Sequence, residues 1–441
     1  MGRAFILPPE RTGDISSTLQ NLKGATVLGI NPPVYDFSWF DLWSKPVGLL
    51  CLLQALRHAG NDVHLVDCLY EGRTKPLDFG RWRVERLPVE KPGPYKNIPR
   101  RYYRFGQSNA AFLSRLASCP KPDVVFVTSA MTYWYPGVFE AVQTAKEAFP
   151  GVPVVLGGTY ARLCPQHAAE SGANFIQTEV FSCFSSSAWG ASPALDLYSR
   201  PSYGILVTSR GCPMRCEYCA AHRLWPGFQQ RPLEDVFADL AAQTSLPTVT
   251  DMAFYDDALL LNKERHFYPL CRHLREHYPE LRLHTPNGLH VAQLDDQCCQ
   301  TLFRTGFRTI RLSLEGTDDF TGRVSSNKVA APDYRNAVTS LLRSGYGPEG
   351  IETYILVGLP GQDAGHIRAS IEMVKDLGAR PKLAEFSPIP GTALFQESLK
   401  RTPGIADEPL LHNNTIYAQY VAKTLTPQDL QDLKDLAKKT G

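Results

Sequence analysis

The sequence predicts two α/β units in one chain: an N-terminal doubly wound parallel sheet, then a partial (β/α)6 barrel. Two observations carry this. Strand, loop, helix and strand alternate through residues 25–181, and six further strand-like runs alternate with helices through 201–399. A Ser-rich stretch opening the segment 182–200 has the composition of a linker between them.

In the first unit, after an N-terminal extension (1–24), the apolar run 25–30 reads as a buried strand, and Asn31, Pro32 and Pro33 break it into a loop. An apolar helix follows over 47–59 and closes at Gly60. Strands are expected at 63–66, 124–128 and 154–156, with a helix over 138–149 and the pair Gly157 and Gly158 after the last strand. Residues 71–106 form an insertion with ten Lys or Arg against four acids, net +6, interleaved with aromatic residues. Such a segment suits a solvated lid, an anionic ligand or RNA.

In the second unit the strand-like runs are 204–209, 249–255, 281–285, 309–314, 351–357 and 382–386. Six βα units are fewer than the eight of a full TIM barrel, so the barrel is expected to be partial and open. Residues 400–441 read as a polar tail with one helix at 427–439.

Composition narrows the function classes. A chain of 441 residues with 43% hydrophobic and 20% charged residues is an ordinary globular protein, and a net charge of +2 argues against a general nucleic-acid binder. The longest apolar stretch, 47–56, is too short to cross a bilayer, which places the protein in the cytoplasm with no membrane partner. Eleven cysteines, an odd number in a chain this long, do not form a disulfide framework.

Three of those cysteines stand apart. Cys212, Cys216 and Cys219 follow the first strand of the second unit at the interval Cys-x3-Cys-x2-Cys, a spacing expected by chance in about 0.007 of chains of this cysteine content. Three thiolates on one tight loop suit zinc or an iron–sulfur cluster. A structural zinc site wants a fourth ligand, for which His222 is the one close candidate, whereas three cysteines on a four-iron cluster leave one iron open to an exogenous chelator.

With Tyr218 before the third cysteine, this loop resembles the cluster loop of radical S-adenosylmethionine (SAM) enzymes. Asp256 and Asp257 after the second strand, Ser313 and Glu315 at the end of the fourth, and Gly358 and Gly361 after the fifth are similar to that family's barrel landmarks. The resemblance implies a [4Fe–4S] cluster on the cysteines and SAM as cofactor. The acids would accept hydrogen bonds from its ammonium or ribose, Tyr218 would offer an apolar face, and the glycines would let backbone approach the adenine. Which of Asp256 and Asp257 contacts the ligand is open at this point.

Ahead of such a barrel, a doubly wound, Rossmann-like unit resembles the cobalamin-binding domain of the cobalamin-dependent subclass. The matching positions are Asn31 and Pro32, Ser129 and Met131, and Gly157 and Gly158. A cobalt-ligating Asp-x-His-x-x-Gly motif is missing: Asp62 and His64 lack the glycine and fall inside a strand. The resemblance implies a cobalamin-dependent radical SAM enzyme that generates a 5′-deoxyadenosyl radical and methylates an unactivated carbon of a small molecule or peptide. Its electron would come from a flavodoxin or ferredoxin. Three alternatives remain: a methylthiotransferase-like RNA-modifying enzyme with a second cluster on Cys51, Cys68, Cys119 or Cys164, a cobalamin-dependent rearrangement or cyclisation, and a non-enzymatic cobalamin sensor or scaffold.

Overall fold

Six parallel strands form the sheet of the first unit in this computed structural model, which describes residues 7–8, 10–181 and 192–438. The strands are β1 (Thr12–Gly13), β2 (Thr26–Asn31), β3 (Asp62–Asp67), β4 (Val124–Val127), β5 (Val154–Leu156) and β6 (Phe175–Gln177). Their order across the sheet is β1-β6-β5-β4-β2-β3. Strands β4 and β5 are buried at every residue, as parallel strands covered on both faces must be. Helices α1 (Val47–His58), α2 (Asn109–Ala117) and α3 (Tyr135–Ala148) accompany them. The chain runs from β2 to β3 on one side and returns to β4 on the other, so the order reverses between β2 and β4. Doubly wound folds bind ligands in the crevice at that reversal, beyond the carboxyl ends of the strands.

The basic insertion is built rather than loose. Arg73–Pro76 pairs with Trp82–Val84, and Arg86–Val89 with Tyr102–Phe105, which also pairs with Val34–Asp36. Its arginines are largely engaged within the unit: Arg73 lies 3.4 Å over the Tyr70 ring, Arg81 4.8 Å over Trp43 and Arg86 5.0 Å over Tyr103, while Arg104 pairs with Glu140 at 2.6 Å. Much of the +6 charge is therefore spent on internal contacts that composition alone does not reveal.

The second unit begins at Gly204, with segments 238–249 and 407–410 counted to the first. Its strands are β7 (Gly204–Leu206), β8 (Asp251–Phe254), β9 (Arg282–His284), β10 (Phe307–Glu315), β11 (Ile351–Val357) and β12 (Arg380–Glu385), all parallel and paired in chain order. Among the helices between them are α4 (Phe267–His277), α5 (Asp296–Thr305), α6 (Ala331–Ser344) and α7 (Ala364–Asp376). Local chemistry sets their limits. Asp295 caps α5 by accepting from the Cys298 amide, and Gly306 ends it with φ of 92°. The tail helix α8 (Pro427–Lys438) docks through Lys434 to Glu385 at 2.6 Å.

Differences from the sequence expectation are local. The strand expected over 204–209 stops at Leu206, and Ser209–Arg210 turns to pair antiparallel with Gln229–Gln230. Strands β1 and β6 and the insertion's hairpins carry too few residues for periodicity to show. Cys183 and positions 182–191 of the expected linker lie outside the described residues.

Candidate cluster and cofactor site

The short ribbon Ser209–Arg210 launches the cysteine loop, and Asp256 fixes it. The buried carboxylate of Asp256 accepts from the Thr208 amide at 3.1 Å, the Thr208 hydroxyl at 2.7 Å and the Ser209 hydroxyl at 2.6 Å. Gly211 follows with φ of 73°, and a Cβ there would fall 2.0 Å from the Gly227 carbonyl oxygen, so glycine is required for the chain to enter the loop.

Beyond it, Cys212, Cys216 and Cys219 line one cavity of about 290 Å³ together with Tyr218, Asp256, Asp257, Ser313 and Glu315. Burial, more than any other cause, pushes the Cys212 and Cys219 thiols up, Cys219 to about 11, and the neighbouring thiols and Asp257 add to the rise. The Ala221 amide donates to the Cys219 sulfur at 3.4 Å. Mutually raised thiols with amide donors turned on their sulfurs form a set that a multivalent iron centre would convert to thiolates, releasing protons on binding.

Hydrogen bonding distinguishes the two aspartates, which both line the cavity. Asp256 is committed to the loop, whereas Asp257 keeps its carboxylate toward the cavity and is pushed up to about 6, first by desolvation and then by Asp256. A carboxyl raised from 3.8 to about 6 on folding contributes stability at low pH that is lost as pH rises through 6. Asp257 is exposed to solvent, which screens this effect, so Asp257→Asn should flatten only part of the decline in thermal midpoint between pH 4 and pH 6.5 (about the window of this shift). Parallel wild-type and variant profiles in scanning fluorimetry would count against it.

Strand β10 delivers the opposite wall. Its register with β11 slips between Ser313 and Glu315, and Glu315 takes φ of 68°, a left-handed conformation rare for a side chain of this kind. Ser313 and Glu315 line the same cavity. Glu315 holds Lys328 at 2.7 Å, with both side chains almost wholly buried. Asn287 lines the cavity too, but its amide nitrogen donates to the Tyr255 and Asp256 carbonyls and acts as a brace.

Gly358 and Gly361 do not reach this cavity. Their turn closes on itself, because the Gln362 side-chain oxygen accepts from the Gly358 amide at 2.9 Å and the Leu359 amide at 3.2 Å, and Gly358 packs against Ala418. Two lining residues carry no sequence signal: Lys328, and His290, whose buried Nδ1 has no partner in another residue. That orphaned nitrogen and the open Asp257 carboxylate are what a polar ligand would complete.

In the first unit, Asn31, Pro32, Ser129 and Met131 stand at the carboxyl ends of β2 and β4, the point where strand order reverses, and Gly157 and Gly158 follow the adjacent β5. Several of them are engaged within the unit. Asn31 donates to Asp67 at 2.9 Å, the Ser129 hydroxyl donates to the Gly157 carbonyl at 2.7 Å, and Gly158, φ 96°, lets the β5 loop pass against the Ser129 backbone. Met131 is 49% exposed, an apolar side chain open at the mouth of the crevice. His64 lies within β3 and pairs with Asp62 at 2.9 Å, away from that edge.

An open six-stranded parallel barrel whose first strand leads to a three-cysteine loop, facing acids on later strands, defines the radical SAM class. Residues 206–374 match the family model of the Radical SAM superfamily, and this unit is a radical SAM domain. Such a domain holds a [4Fe–4S] cluster and SAM, and the cysteine cavity fits that pair. The chain is 22% identical over 204 residues to an uncharacterized methyltransferase of Pyrococcus horikoshii, covering 45% of this chain and 42% of that protein. It is likewise 22% identical over 247 residues to the cytidylyl-2-hydroxyethylphosphonate methyltransferase of Streptomyces wedmorensis, covering 54% and 44%. The matches thus span less than half the length of these curated relatives. The fold is shared with TsrM, a radical SAM methyltransferase of Kitasatospora setae solved with tryptophan and a SAM analog, at TM-score 0.65 and 16% identity over 93% of this chain and 89% of that one. OxsB, a cobalamin-dependent SAM radical enzyme, follows at TM-score 0.56 and 10% identity over 93% and 58%.

Proposed function

We propose that this protein is a cobalamin-dependent radical SAM methyltransferase that methylates an unactivated carbon of a small molecule or peptide. The observation that carries the proposal is the meeting of Cys212, Cys216 and Cys219 with Asp257, Ser313 and Glu315 on one barrel cavity. Support for cobalamin comes from the first unit: the expected loop residues gather at the reversal of strand order, and the shared fold includes proteins described with that cofactor.

When bound, the cluster supplies the electron that cleaves SAM and cobalamin supplies a methyl carrier. The chain's own residues hold and orient. The three cysteines hold the cluster, Asp256 keeps their loop in place, and Asp257 and Glu315 accept hydrogen bonds from the ligand's ammonium or ribose hydroxyls. Tyr218 and Phe254 give the cavity apolar walls that keep water from the reacting groups. The electron donor is a flavodoxin- or ferredoxin-like protein, and the site of action is the cytoplasm. No helix among the described residues is long and apolar enough to cross a membrane.

The test is anaerobic purification with cobalamin supplied, followed by iron, sulfide and corrinoid quantitation on one sample. About four irons and one corrinoid per chain are expected. About eight irons without corrinoid would overturn the proposal in favour of a second cluster and a methylthiotransferase, and about four without corrinoid would remove cobalamin from it.

A further inference from the structure

The structure assigns to Lys328 the task of offsetting the negative charge of the cluster site, so that this one ammonium helps set the potential at which the cluster accepts its electron. The inference rests on the cluster reading above. Among the described residues that line the cavity, Lys328 is the one lysine or arginine, set against Asp256, Asp257, Glu315 and the three cysteines. Its side chain is 13% exposed, pairs with Glu315 at 2.7 Å, and interacts electrostatically with Cys216 and Cys219 as well.

Its position is tied to the cysteine loop itself. The Glu217 amide donates to the Val324 carbonyl at 2.8 Å, so the turn that carries Lys328 hangs on the loop that carries the ligands. Ser326 and Asn327 then take φ of 59° and 48°, and Glu315 across the ion pair takes 68°. Left-handed backbone at both ends of one ion pair persists only where the surrounding structure over-determines it.

The electrostatic consequence follows from charge alone. Three thiolates make a four-iron cluster anionic, and reduction adds a further negative charge inside a poorly solvated cavity. A fixed ammonium beside the sulfurs stabilises the reduced form. A fixed carboxylate does the reverse. Lys328 is thus a positioning residue acting through charge, distinct from the ligands.

The experiment is an anaerobic redox titration of the iron-loaded full chain, without SAM, following the reduced cluster by electron paramagnetic resonance at matched iron content. Lys328→Gln is expected to shift the midpoint to more negative potential, cutting the reduced-to-oxidised ratio at a given potential by tenfold, which is about 59 mV for a one-electron couple. Lys328→Arg should keep the wild-type midpoint, and Glu315→Gln should move it the other way. Equal midpoints in wild type and Lys328→Gln would overturn the assignment, as would shifts of the same sign in Lys328→Gln and Glu315→Gln, which signal a loosened site. If Lys328→Gln does not retain iron, Lys328→Met takes its place, and a midpoint equal to wild type there overturns the assignment. A wild-type chain that binds no four-iron cluster overturns the cluster reading, and this inference with it.

Discussion

Replacing Cys212, Cys216 and Cys219 together by alanine should reduce bound iron from about four atoms per chain to background and abolish reductive cleavage of SAM. The three side chains lie on one loop that leaves the ribbon Ser209–Arg210, and they line the same cavity. Each single alanine variant is expected to lose most of the iron as well, because two thiolates leave two irons without protein ligands. The fold should survive, since Cys212 and Cys219 are partly exposed and all three side chains border a cavity. Iron assay, visible absorbance and 5′-deoxyadenosine release on the same preparation check this. A triple variant that kept its iron would place the cluster elsewhere.

Asp251→Ala should give a large stability loss in the second unit. Asp251 opens β8, and its carboxylate accepts from Arg282 at 2.8 and 2.6 Å, from Thr250 at 2.9 Å, and contacts His284 Nε2 at 2.9 Å. His284 reaches Thr309 at 2.6 Å through its other ring nitrogen, so the network joins β8, β9 and β10. The side chains of Asp251 and His284 are fully buried. Truncation leaves buried polar groups without partners, at about 3 kcal/mol, or about 6–12 °C in thermal midpoint for a unit this size. Burial alone would raise the Asp251 pKa, but the hydrogen bonds from Arg282, His284 and Thr250 outweigh it and hold it at about 2. With a depressed pKa, the contribution is complete above pH 3.8 and is lost as pH falls toward 2, so the deficit of the variant should shrink across that window. A thermal midpoint within about 2 °C of wild type at pH 7 would refute the expected size.

Much of the architecture could be read from the sequence. The β2, β3, β4 and β5 cores and the barrel strands overlap the expected runs, most of them because buried parallel strands need apolar side chains, although β12 has no fully buried residue. The edge strand β1 and the hairpins of residues 71–106 were not legible. Two to four polar residues held by partners far away in sequence leave no local period. In the site, the cysteines announce themselves by spacing, and Ser313 and Glu315 by their resemblance to the landmarks of radical SAM barrels. Lys328 and His290 stand in no motif, and only the packing of the turn after Asn327 and of the segment Leu289–His290 against β10 brings them to the cavity.

The sequence by itself determined the class of chemistry, since metal-ligand spacing within one loop is a short-range property written in consecutive residues. It also determined two α/β units in order, because hydrophobic runs record burial directly. Tertiary structure alone decided how the polar groups are spent. Asp256 serves the loop while Asp257 faces the cavity, the turn at Gly358 and Gly361 closes on Gln362, and the arginines of the insertion lie on aromatic rings. Each of those outcomes depends on which donor or acceptor, tens of residues away, arrives within hydrogen-bonding distance. That is settled by how strands and turns pack, and no local pattern encodes it.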